Sequence, residues 1–240
     1  MTTQEIYVLN KRLKLLHSEK GFKTSMDSVL LAAACPVKAG EHILDLGCGV
    51  GGAGLCVLAR ADGVYLTGVE IQKEHAELAE RNAEVNLFQD QTTFINADIK
   101  KYREEKAFDH VIMNPPYLEA GAHLKSPLDE KAKAMGHEEA DIKDWIDCAH
   151  FCLRSKGSLT IIHRADQIDQ IIRAIGKRFG KIEIFPLWPK EGVNAKRVIV
   201  RCYKDRYSPT TLHAGLVLHD AQGEYTHEAN KILREAEALL

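Results

Sequence analysis

The stretch Glu41-His-Ile-Leu-Asp-Leu-Gly-Cys-Gly-Val-Gly-Gly52 decides the fold. Its first half is a short apolar run, which predicts a buried strand, and its glycine-rich second half predicts a turn into a helix that continues through Arg60. Gly47 to Gly52 fits the pattern Gly-x-Gly-x-x-Gly. Glu70 follows about 20 residues later, at the end of the next predicted strand, where an acidic residue holds ribose hydroxyls. By itself, this stretch is typical of a dinucleotide-binding unit.

Strand and helix patterns alternate along the rest of the chain. Apolar runs that predict strands lie at 65–70, 92–96, 108–113 and 158–163, and helical spacing occurs at 73–86, 145–153 and 167–179. Alternating units of this kind form parallel sheets with helices on both faces. Two later runs, 181–187 and 198–203, predict an antiparallel pair, and 216–218 predicts an extra strand. We therefore expect an α/β fold with a doubly wound, mostly parallel, seven-stranded, Rossmann-like sheet and an antiparallel edge pair.

The sequence predicts a short N-terminal segment followed by one large domain. Residues 1–37 predict a basic, irregular lead and a helix, with Ser25 or Asp27 as the N-cap. Residues 38–240 predict one domain with a single core. Within it, the polar stretch 118–140 predicts a long loop of the kind that often serves as a lid. Thr226 predicts the cap of the last helix, whose apolar residues continue at helical spacing to Leu239.

Composition sets the limits of this interpretation. At 240 residues and 45% hydrophobic content, the chain can bury one sizeable core. The net charge of −2 is unevenly distributed, because residues 151–207 hold 13 Lys and Arg against 5 Asp and Glu, hence +8, which leaves −10 for the remainder. Such segregation can steer a polyanion to one face, but solvated helix faces also explain it. The charge distribution supports a nucleic-acid partner only weakly.

The cysteine, histidine and hydropathy patterns exclude several classes of protein. The six cysteines form no Cys-x-x-Cys pair and no apolar leader precedes them, which favours a reduced, cytoplasmic protein. Cys148 and Cys152 are one helical turn apart, but the sequence near them has no further metal-ligand pattern, so we interpret them as small buried residues. The eleven histidines form no metal motif, and no apolar run reaches the roughly 18 residues of a membrane span. We expect neither a metal nor a membrane.

A second informative stretch, Asn114-Pro-Pro-Tyr117, follows the predicted strand 108–113. Open α/β sheets bind ligands at the carboxyl ends of their strands, which favours a functional turn here. Pro115 and Pro116 make the turn stiff and extended. The Asn114 side-chain oxygen and the Pro115 carbonyl can then accept both hydrogens of an NH2 group, while Tyr117 offers a flat face to a planar group. The alternative is a proline-rich loop that only closes the strand.

Asp45 argues against a dinucleotide. Its carboxylate stands two residues before Gly47 at the end of the first strand, where it would repel a pyrophosphate and attract a cation. S-adenosylmethionine (SAM) has a cationic ammonium group and a cationic sulfonium group. Its ribose needs an acidic partner, which Glu70 provides, and its adenine needs an acceptor such as Asp98. These residues therefore predict SAM as the cofactor.

In order and spacing, residues 22–117 resemble the class I SAM-dependent methyltransferases. Asp45-Leu-Gly-Cys-Gly49 resembles their first motif, Glu70 the second, Asp98 the third and Asn114-Pro-Pro-Tyr117 the fourth. Four linked motifs are far more specific than any one of them. In this class the fourth motif is typical of enzymes that methylate planar nitrogens. The resemblance implies a cofactor site that includes Gly47, Cys48 and Gly49, and a catalytic turn formed by Asn114, Pro115, Pro116 and Tyr117.

Over its whole length the chain resembles the bacterial tRNA(Val) adenine-N6 methyltransferase family. The resemblance includes Phe22-Lys23 with Asp27-Ser-Val-Leu-Leu31, Lys196-Arg197-Val198 and Gly223-Glu-Tyr-Thr226. It implies tRNA as the partner and adds Lys23 and Asp27 to the cofactor site. The chain departs from the family in 118–140, where lysines replace the expected arginines. Candidate phosphate contacts are Lys23, Lys131, Lys133, Lys196 and Arg197.

Other functions stay open at this point. A protein glutamine-N5 or an rRNA guanine-N2 methyltransferase would use the same turn on a different NH2 group. The chain before residue 40 has no recognisable helical substrate domain, which argues against the glutamine enzyme. A non-catalytic RNA-binding module is a third possibility, against which the intact Asn114 to Tyr117 turn argues. The sequence does not predict the oligomeric state.

Overall fold

The computed structural model describes residues 3–18, 25–116 and 140–239. The chain begins with an N-terminal hairpin in which β1 (Thr3–Val8) pairs antiparallel with β2 (Leu13–Ser18). The expectation of an irregular lead is therefore wrong for this segment. Leu13 and Leu15 are fully buried while Lys14 between them is only half-buried, which is the alternation of a strand with one face packed against the protein.

The central sheet contains nine strands in the described part of the chain. Their order across the sheet is β10-β8-β9-β7-β6-β3-β4-β5, with β11 also pairing with β8. Strands β7, β6, β3, β4 and β5 run parallel, whereas β9 is antiparallel to both β7 and β8. The strands are β3 (His42–Leu46), β4 (Tyr65–Glu70), β5 (Thr92–Asn96), β6 (Phe108–Met113), β7 (Leu153–Arg164), β8 (Phe179–Lys190), β9 (Arg197–Lys204), β10 (Thr211–Leu212) and β11 (Leu216–His219).

Helices cover both faces of this sheet. They are α1 (Met26–Ala34), α2 (Gly52–Leu58), α3 (Lys73–Val85), α4 (Ile142–Cys152), α5 (Ile168–Ile175) and α6 (His227–Arg234). One apolar cluster joins α1, α2, α6 and the hairpin to one face, and a second joins α4 and α5 to the other. The doubly wound α/β fold with an antiparallel pair is confirmed, and β10 and β11 extend the seven-stranded sheet.

The first predicted strand shows how the two faces are built. Within β3, Ile43 packs into the cluster under α1 and α2, whereas Leu44 and Leu46 pack into the cluster under α4. Successive side chains of a strand point to opposite faces, so Asp45 lies on the α2 face with Ile43. This places a buried carboxylate directly beneath the start of α2.

The helix caps were only partly predictable. Thr226 caps α6, because its hydroxyl oxygen accepts from the Ala229 N–H at 3.2 Å. Ser25 occupies the N-cap position of α1 but makes no side-chain capping bond, and Asp27 lies inside the first turn, so neither residue caps the helix as expected. Gly176, with a φ of +56°, ends α5 well before residue 179. The predicted helix to Phe179 is therefore too long.

The strand register brings the sequence motifs together. Leu46 in β3 pairs with Val69 in β4 on one side and with Met113 in β6 on the other. Glu70 in turn pairs with Asn96 at the end of β5. The residues that follow these four parallel strands therefore meet at one edge of the sheet, called here the active-site edge.

The N-terminal residues belong to the same packing unit as the rest of the chain. Leu9, Leu13 and Leu15 of the hairpin share one apolar cluster with Ile43, Ile112 and Ile199 of the sheet. The domain boundary expected after residue 37 stays a prediction. The expected lid at 118–140 falls outside the described residues except for Ala140.

Candidate active site

The glycine turn (residues 47–51) connects β3 to α2 at the active-site edge. Gly47, Gly49 and Gly51 have φ values of +64°, +54° and +83°, in the left-handed region that residues with a Cβ rarely adopt. Cys48 between the first two donates its N–H to the Val69 carbonyl at 3.1 Å, which fastens the turn to β4. The alternating glycines thus fold the backbone into a compact turn, in which Cys48 and Gly49 donate their N–H groups to β4.

Glu70 is the carboxylate that the sequence placed at the ribose. It is buried, and its Oε2 accepts from Gly49 N at 2.9 Å while its Oε1 accepts from Gln72 N at 2.8 Å. A carboxylate oxygen has two lone pairs, so each oxygen retains the capacity for a second hydrogen bond. The two backbone bonds orient the carboxylate, and this arrangement suits a neighbouring pair of hydroxyl groups.

Asp45 is 2% exposed and faces the start of α2. Its Oδ2 accepts from Gly54 N at 2.9 Å, which satisfies one of the unpaired N–H groups of the first helical turn. Burial raises the pKa of Asp45 to about 7; the Gly54 N–H opposes this shift and the negative charge of Glu70 adds to it. The two carboxylates therefore create a negative, poorly solvated environment beneath the glycine turn.

Two further predicted residues, Cys48 and Asp98, lie at the same edge, together with Asn96. Cys48 is buried in the turn, and burial raises the pKa of its thiol well above the usual value. Asp98 follows β5 and is half-buried; its Oδ1 accepts from Lys100 N at 2.9 Å. Asn96 donates to the carbonyls of Glu70 and Ile71 at 2.9 Å each, which ties the end of β5 to the end of β4. The geometry thus brings the first three motifs onto adjacent strand ends.

The Asn114-Pro115-Pro116 segment follows β6, beside the glycine turn. Asn114 is half-buried, Pro115 is buried and Pro116 is exposed. Tyr117, the fourth residue of the predicted catalytic turn, lies outside the described residues. A cavity of about 200 Å³ borders this segment, and it is lined by Pro115, Pro116, Ala140, Asp141, Ile142, Trp145, His163, Gln167, Gln170 and Ile171.

Trp145 connects this cavity to the glycine turn. It lies in α4, whose start is fixed by a capping box between Asp141 and Asp144. Its indole ring packs so closely on Gly47 that a methyl group on that residue would lie 2.8 Å from Trp145 Cζ3. His163 borders the cavity from the end of β7, and burial lowers its pKa. Sequence reasoning missed both residues, because a single Trp or His gives no motif.

Asp27 and Arg197 form an ion pair beside this edge. Arg197 Nε donates to Asp27 Oδ2 at 2.9 Å, and the Asp27 side chain is 10% exposed. Two segments that carry the family resemblance, 170 residues apart, therefore meet in the structure. The expected roles of Asp27 in cofactor binding and of Arg197 in phosphate contact stay predictions. Lys23, Lys131 and Lys133 lie outside the described residues.

The basic block 151–207 does not form one cationic face. Most of its arginines have carboxylate partners within the protein, which reduces the charge they offer to a ligand. The pairs are Arg154 with Asp109, Arg164 with Asp166, Arg173 with Asp169, Arg178 with Asp147, Arg197 with Asp27 and Arg201 with Glu183.

The exposed lysines of this block divide between two edges of the sheet. In the strand register, Arg197 of β9 lies opposite Arg164 of β7 on one side and opposite Leu187 of β8 on the other. The end of β8 and the start of β9 therefore lie beside the end of β7. Lys190 and Lys196 are exposed at this active-site edge. Lys156 is exposed near the start of β7, at the opposite edge. A ligand at the active site would therefore meet only part of the block.

The described residues show neither a metal site nor a membrane-spanning helix. Within them, no group of three or more His, Cys, Asp and Glu residues is arranged to hold a metal ion. No helix of the described ranges is long and apolar enough to cross a membrane.

Comparisons with known proteins agree with this arrangement. Residues 21–186 match the methyltransferase small domain family. A relative from Shewanella baltica, named tRNA1(Val) (adenine(37)-N6)-methyltransferase, is 25% identical over 221 residues, which cover 90% of this chain and 92% of the relative. The crystal structure of a predicted O-methyltransferase from Agrobacterium tumefaciens is 30% identical, with a TM-score of 0.74, and the match covers 89% of this chain and 98% of that one.

A SAM-dependent O-methyltransferase from Thermotoga maritima shares the fold, with a TM-score of 0.58 at 20% identity, over 81% of this chain and 74% of that one. The chain belongs to the methyltransferase small domain family. It is a methyltransferase with the class I fold of SAM-dependent enzymes, as the sequence predicted. The roles assigned to individual site residues stay predictions.

The raised pKa of Asp45 predicts a pH-dependent stability. The folded-state pKa of about 7 lies above the unfolded value of about 3.9, so the stabilising contribution is present below the unfolded pKa and is lost as pH rises through about 7. Between about pH 5 and pH 8, the free energy of unfolding should fall by roughly 2 kcal/mol in the wild type relative to Asp45→Asn. Urea denaturation at several pH values measures this difference, and parallel pH profiles for the two proteins would contradict it.

The contact between Gly47 and Trp145 predicts coupled substitutions. Gly47→Ala should destabilise the protein by about 2 kcal/mol or more, because the methyl group meets the indole and the φ of +64° disfavours a Cβ. In a Trp145→Leu background the steric part disappears, so the double variant should be more stable than the two single effects predict. Additive losses in a double-mutant cycle would show that the ring does not restrict this position.

Proposed function

We propose that the protein is a SAM-dependent N-methyltransferase that modifies the N6 atom of an adenine in tRNA. The observation that carries this proposal is the position of Asn114-Pro115-Pro116. The segment ends the strand adjacent to the glycine turn and forms one wall of the neighbouring cavity. A cofactor on one side and an acceptor group on the other would therefore meet at the start of this segment.

The donor side fits SAM by its chemistry. The glycine turn offers backbone groups, and Glu70 retains acceptor capacity for the ribose hydroxyls. The carboxylates of Asp45 and Glu70 favour a cationic ligand, and Asp98 would accept a hydrogen bond from the adenine amino group. When bound, SAM supplies an electrophilic methyl group. The protein therefore has to bind and orient the two reactants more than it has to activate either one.

The acceptor side fits an exocyclic amine. Asn114 and the Pro115 carbonyl would accept the two hydrogens of the N6 amino group, which turns the nitrogen lone pair out of the ring plane towards the methyl group. After transfer, the nitrogen carries one excess proton, which leaves to water or to the same acceptors. A strong general base is therefore unnecessary. We expect Tyr117 to stack on the base, as the sequence predicted.

Relatives named as tRNA1(Val) (adenine(37)-N6)-methyltransferases support adenine in tRNA as the substrate. With such a substrate the protein would act in the cytoplasm, and the base would be turned out of its stack, at lower cost in a single-stranded loop than in a duplex. The O-methyltransferase name of the Agrobacterium protein suggests an oxygen acceptor. A hydroxyl group offers one hydrogen and does not need two aligned acceptors, so the asparagine-proline turn favours nitrogen.

Removing the Asn114 acceptor should separate chemistry from binding. We expect Asn114→Ala to slow methyl transfer on the order of 10²–10³-fold, since a positioned polar group is lost. Its affinity for S-adenosylhomocysteine (SAH) should stay within several-fold of wild type because the donor side is unchanged. Single-turnover reactions with tRNA, read as N6-methyladenosine by nucleoside mass spectrometry, measure the rate.

Asn114→Asp is the matched control for this experiment, because it retains oxygen acceptors of similar size. It should keep more activity than Asn114→Ala. Near wild-type turnover by the alanine variant would remove Asn114 from the mechanism. A parallel loss of melting temperature and SAH affinity would indicate a structural loop. Formation of N2-methylguanosine in RNA, or of methylglutamine in a protein substrate, would instead support one of the alternative functions.

The position of the exposed lysines predicts the salt response of RNA binding. Log affinity for tRNA should fall by roughly 0.7–0.9 per log unit of salt for each phosphate contact. Lys196→Ala at the active-site edge should lower this slope by about one contact, whereas Lys156→Ala at the opposite edge should leave it unchanged. Filter binding across a salt series measures both slopes. Equal slopes for all three proteins would show that Lys196 does not contact RNA.

A further inference from the structure

Asn82 is a fully buried amide on α3 that joins three parts of the protein. Its Oδ1 accepts from Leu16 N of the hairpin at 2.7 Å. Its Nδ2 donates to Leu16 O at 3.1 Å and to Val50 O at 2.9 Å. Asn82 therefore pairs with β2 as a neighbouring strand would, and its second N–H reaches the glycine turn.

Val50 lies between two of the glycines with positive φ and is itself buried. On the β4 side, the turn is held by hydrogen bonds from Gly49 N to the Glu70 carboxylate and from Cys48 N to the Val69 carbonyl. The bond from Asn82 holds it from the α3 side. Without that donor, the Val50 carbonyl would be left in a site that has little access to water, which costs more than an ordinary hydrogen bond contributes. The turn would then relax towards another geometry.

Asn86, the residue that follows α3, provides a natural comparison. Asn86 accepts from Lys14 N at 3.0 Å and donates to Lys14 O at 2.7 Å, so it pairs with β2 in the same way. Its Nδ2 also donates to the backbone carbonyl of Asn82 at 2.6 Å, in the last turn of α3. Asn82 and Asn86 thus both seat the hairpin on α3, but the bond to the glycine turn comes from Asn82.

We propose that Asn82 is a positioning residue that links the N-terminal hairpin to the cofactor-binding turn. Cofactor affinity then depends on whether β2 is seated on α3, and cofactor binding in return stabilises the seated hairpin, because coupling between two sites is reciprocal. The proposal rests on the proposed function in one respect, namely that the glycine turn binds SAM. It assigns to the hairpin a role in the active site that its sequence does not indicate.

The experiment compares Asn82→Ala with Asn86→Ala in the full-length protein, with SAH as the probe in calorimetry. Both variants lose hairpin contacts and should melt at lower temperature. The Kd for SAH should rise at least about fivefold in Asn82→Ala, where a buried carbonyl loses its donor, and less than about twofold in Asn86→Ala. Equal effects of the two variants on Kd, or an unchanged Kd in Asn82→Ala, would overturn the proposal.

Amide hydrogen exchange tests the coupling directly. If Asn82 only stabilised the fold, its substitution would not change the effect of SAH on exchange at Leu16. SAH should slow exchange of the Leu16 N–H in the wild type and in Asn86→Ala, but not in Asn82→Asp. The aspartate retains the acceptor for Leu16 N–H but loses the donors to Val50 O and to Leu16 O. It also serves if the alanine variant does not fold. SAH-induced protection of Leu16 in Asn82→Asp would overturn the link. Failure of the wild type to bind SAH would instead remove the proposed function and this proposal together.

Discussion

The glycine turn is the constraint on which the rest of the site depends. Its backbone changes direction between a buried strand and a helix within five residues, and it does so through three left-handed positions that only glycine occupies without strain. Because these positions carry no side chains, the Trp145 indole packs on Gly47 and the Glu70 carboxylate accepts from the Gly49 N–H. Between the last two glycines, the Val50 carbonyl accepts from Asn82. A different turn would leave each of these groups without its contact.

Much of this arrangement follows from sequence because it depends on local patterns and on one general property of parallel sheets. Apolar strands alternating with amphipathic helices predict the fold, and motifs at strand ends must meet when the strands are parallel and adjacent. That reasoning placed Asp45, Glu70, Asp98 and Asn114 at one edge without knowledge of the register. It also identified Thr226 as a cap, because a hydroxyl before a helical run acts on its own backbone.

The remaining features depend on partners far apart in the chain. Lys14 and Leu16 form a strand whose outer edge pairs with the side chains of Asn86 and Asn82, 72 and 66 residues away, so the hairpin resembles an irregular basic segment when read alone. Asp27 fits a helix cap by local rules, but Arg197 binds its carboxylate instead. The basic block shows the same limitation, since its net charge is a property of the sequence whereas its ion pairs and its division between two edges are properties of the fold.

The distribution of charge across the site matches the demands of the proposed reaction. Methyl transfer from a sulfonium to an amine starts from a cation beside a neutral acceptor, so negative groups favour binding of the donor. The positive charge then develops on the acceptor nitrogen, where hydrogen-bond acceptors stabilise it. The carboxylates of Asp45, Glu70 and Asp98 lie on the proposed donor side, and burial together with the charge of Glu70 raises the pKa of Asp45. A bound cation relieves that repulsion and favours the ionised form. On the proposed acceptor side, the uncharged oxygens of Asn114 and Pro115 would orient an amine without holding it as an ammonium ion. A nitrogen held in that way keeps its lone pair available for the methyl group.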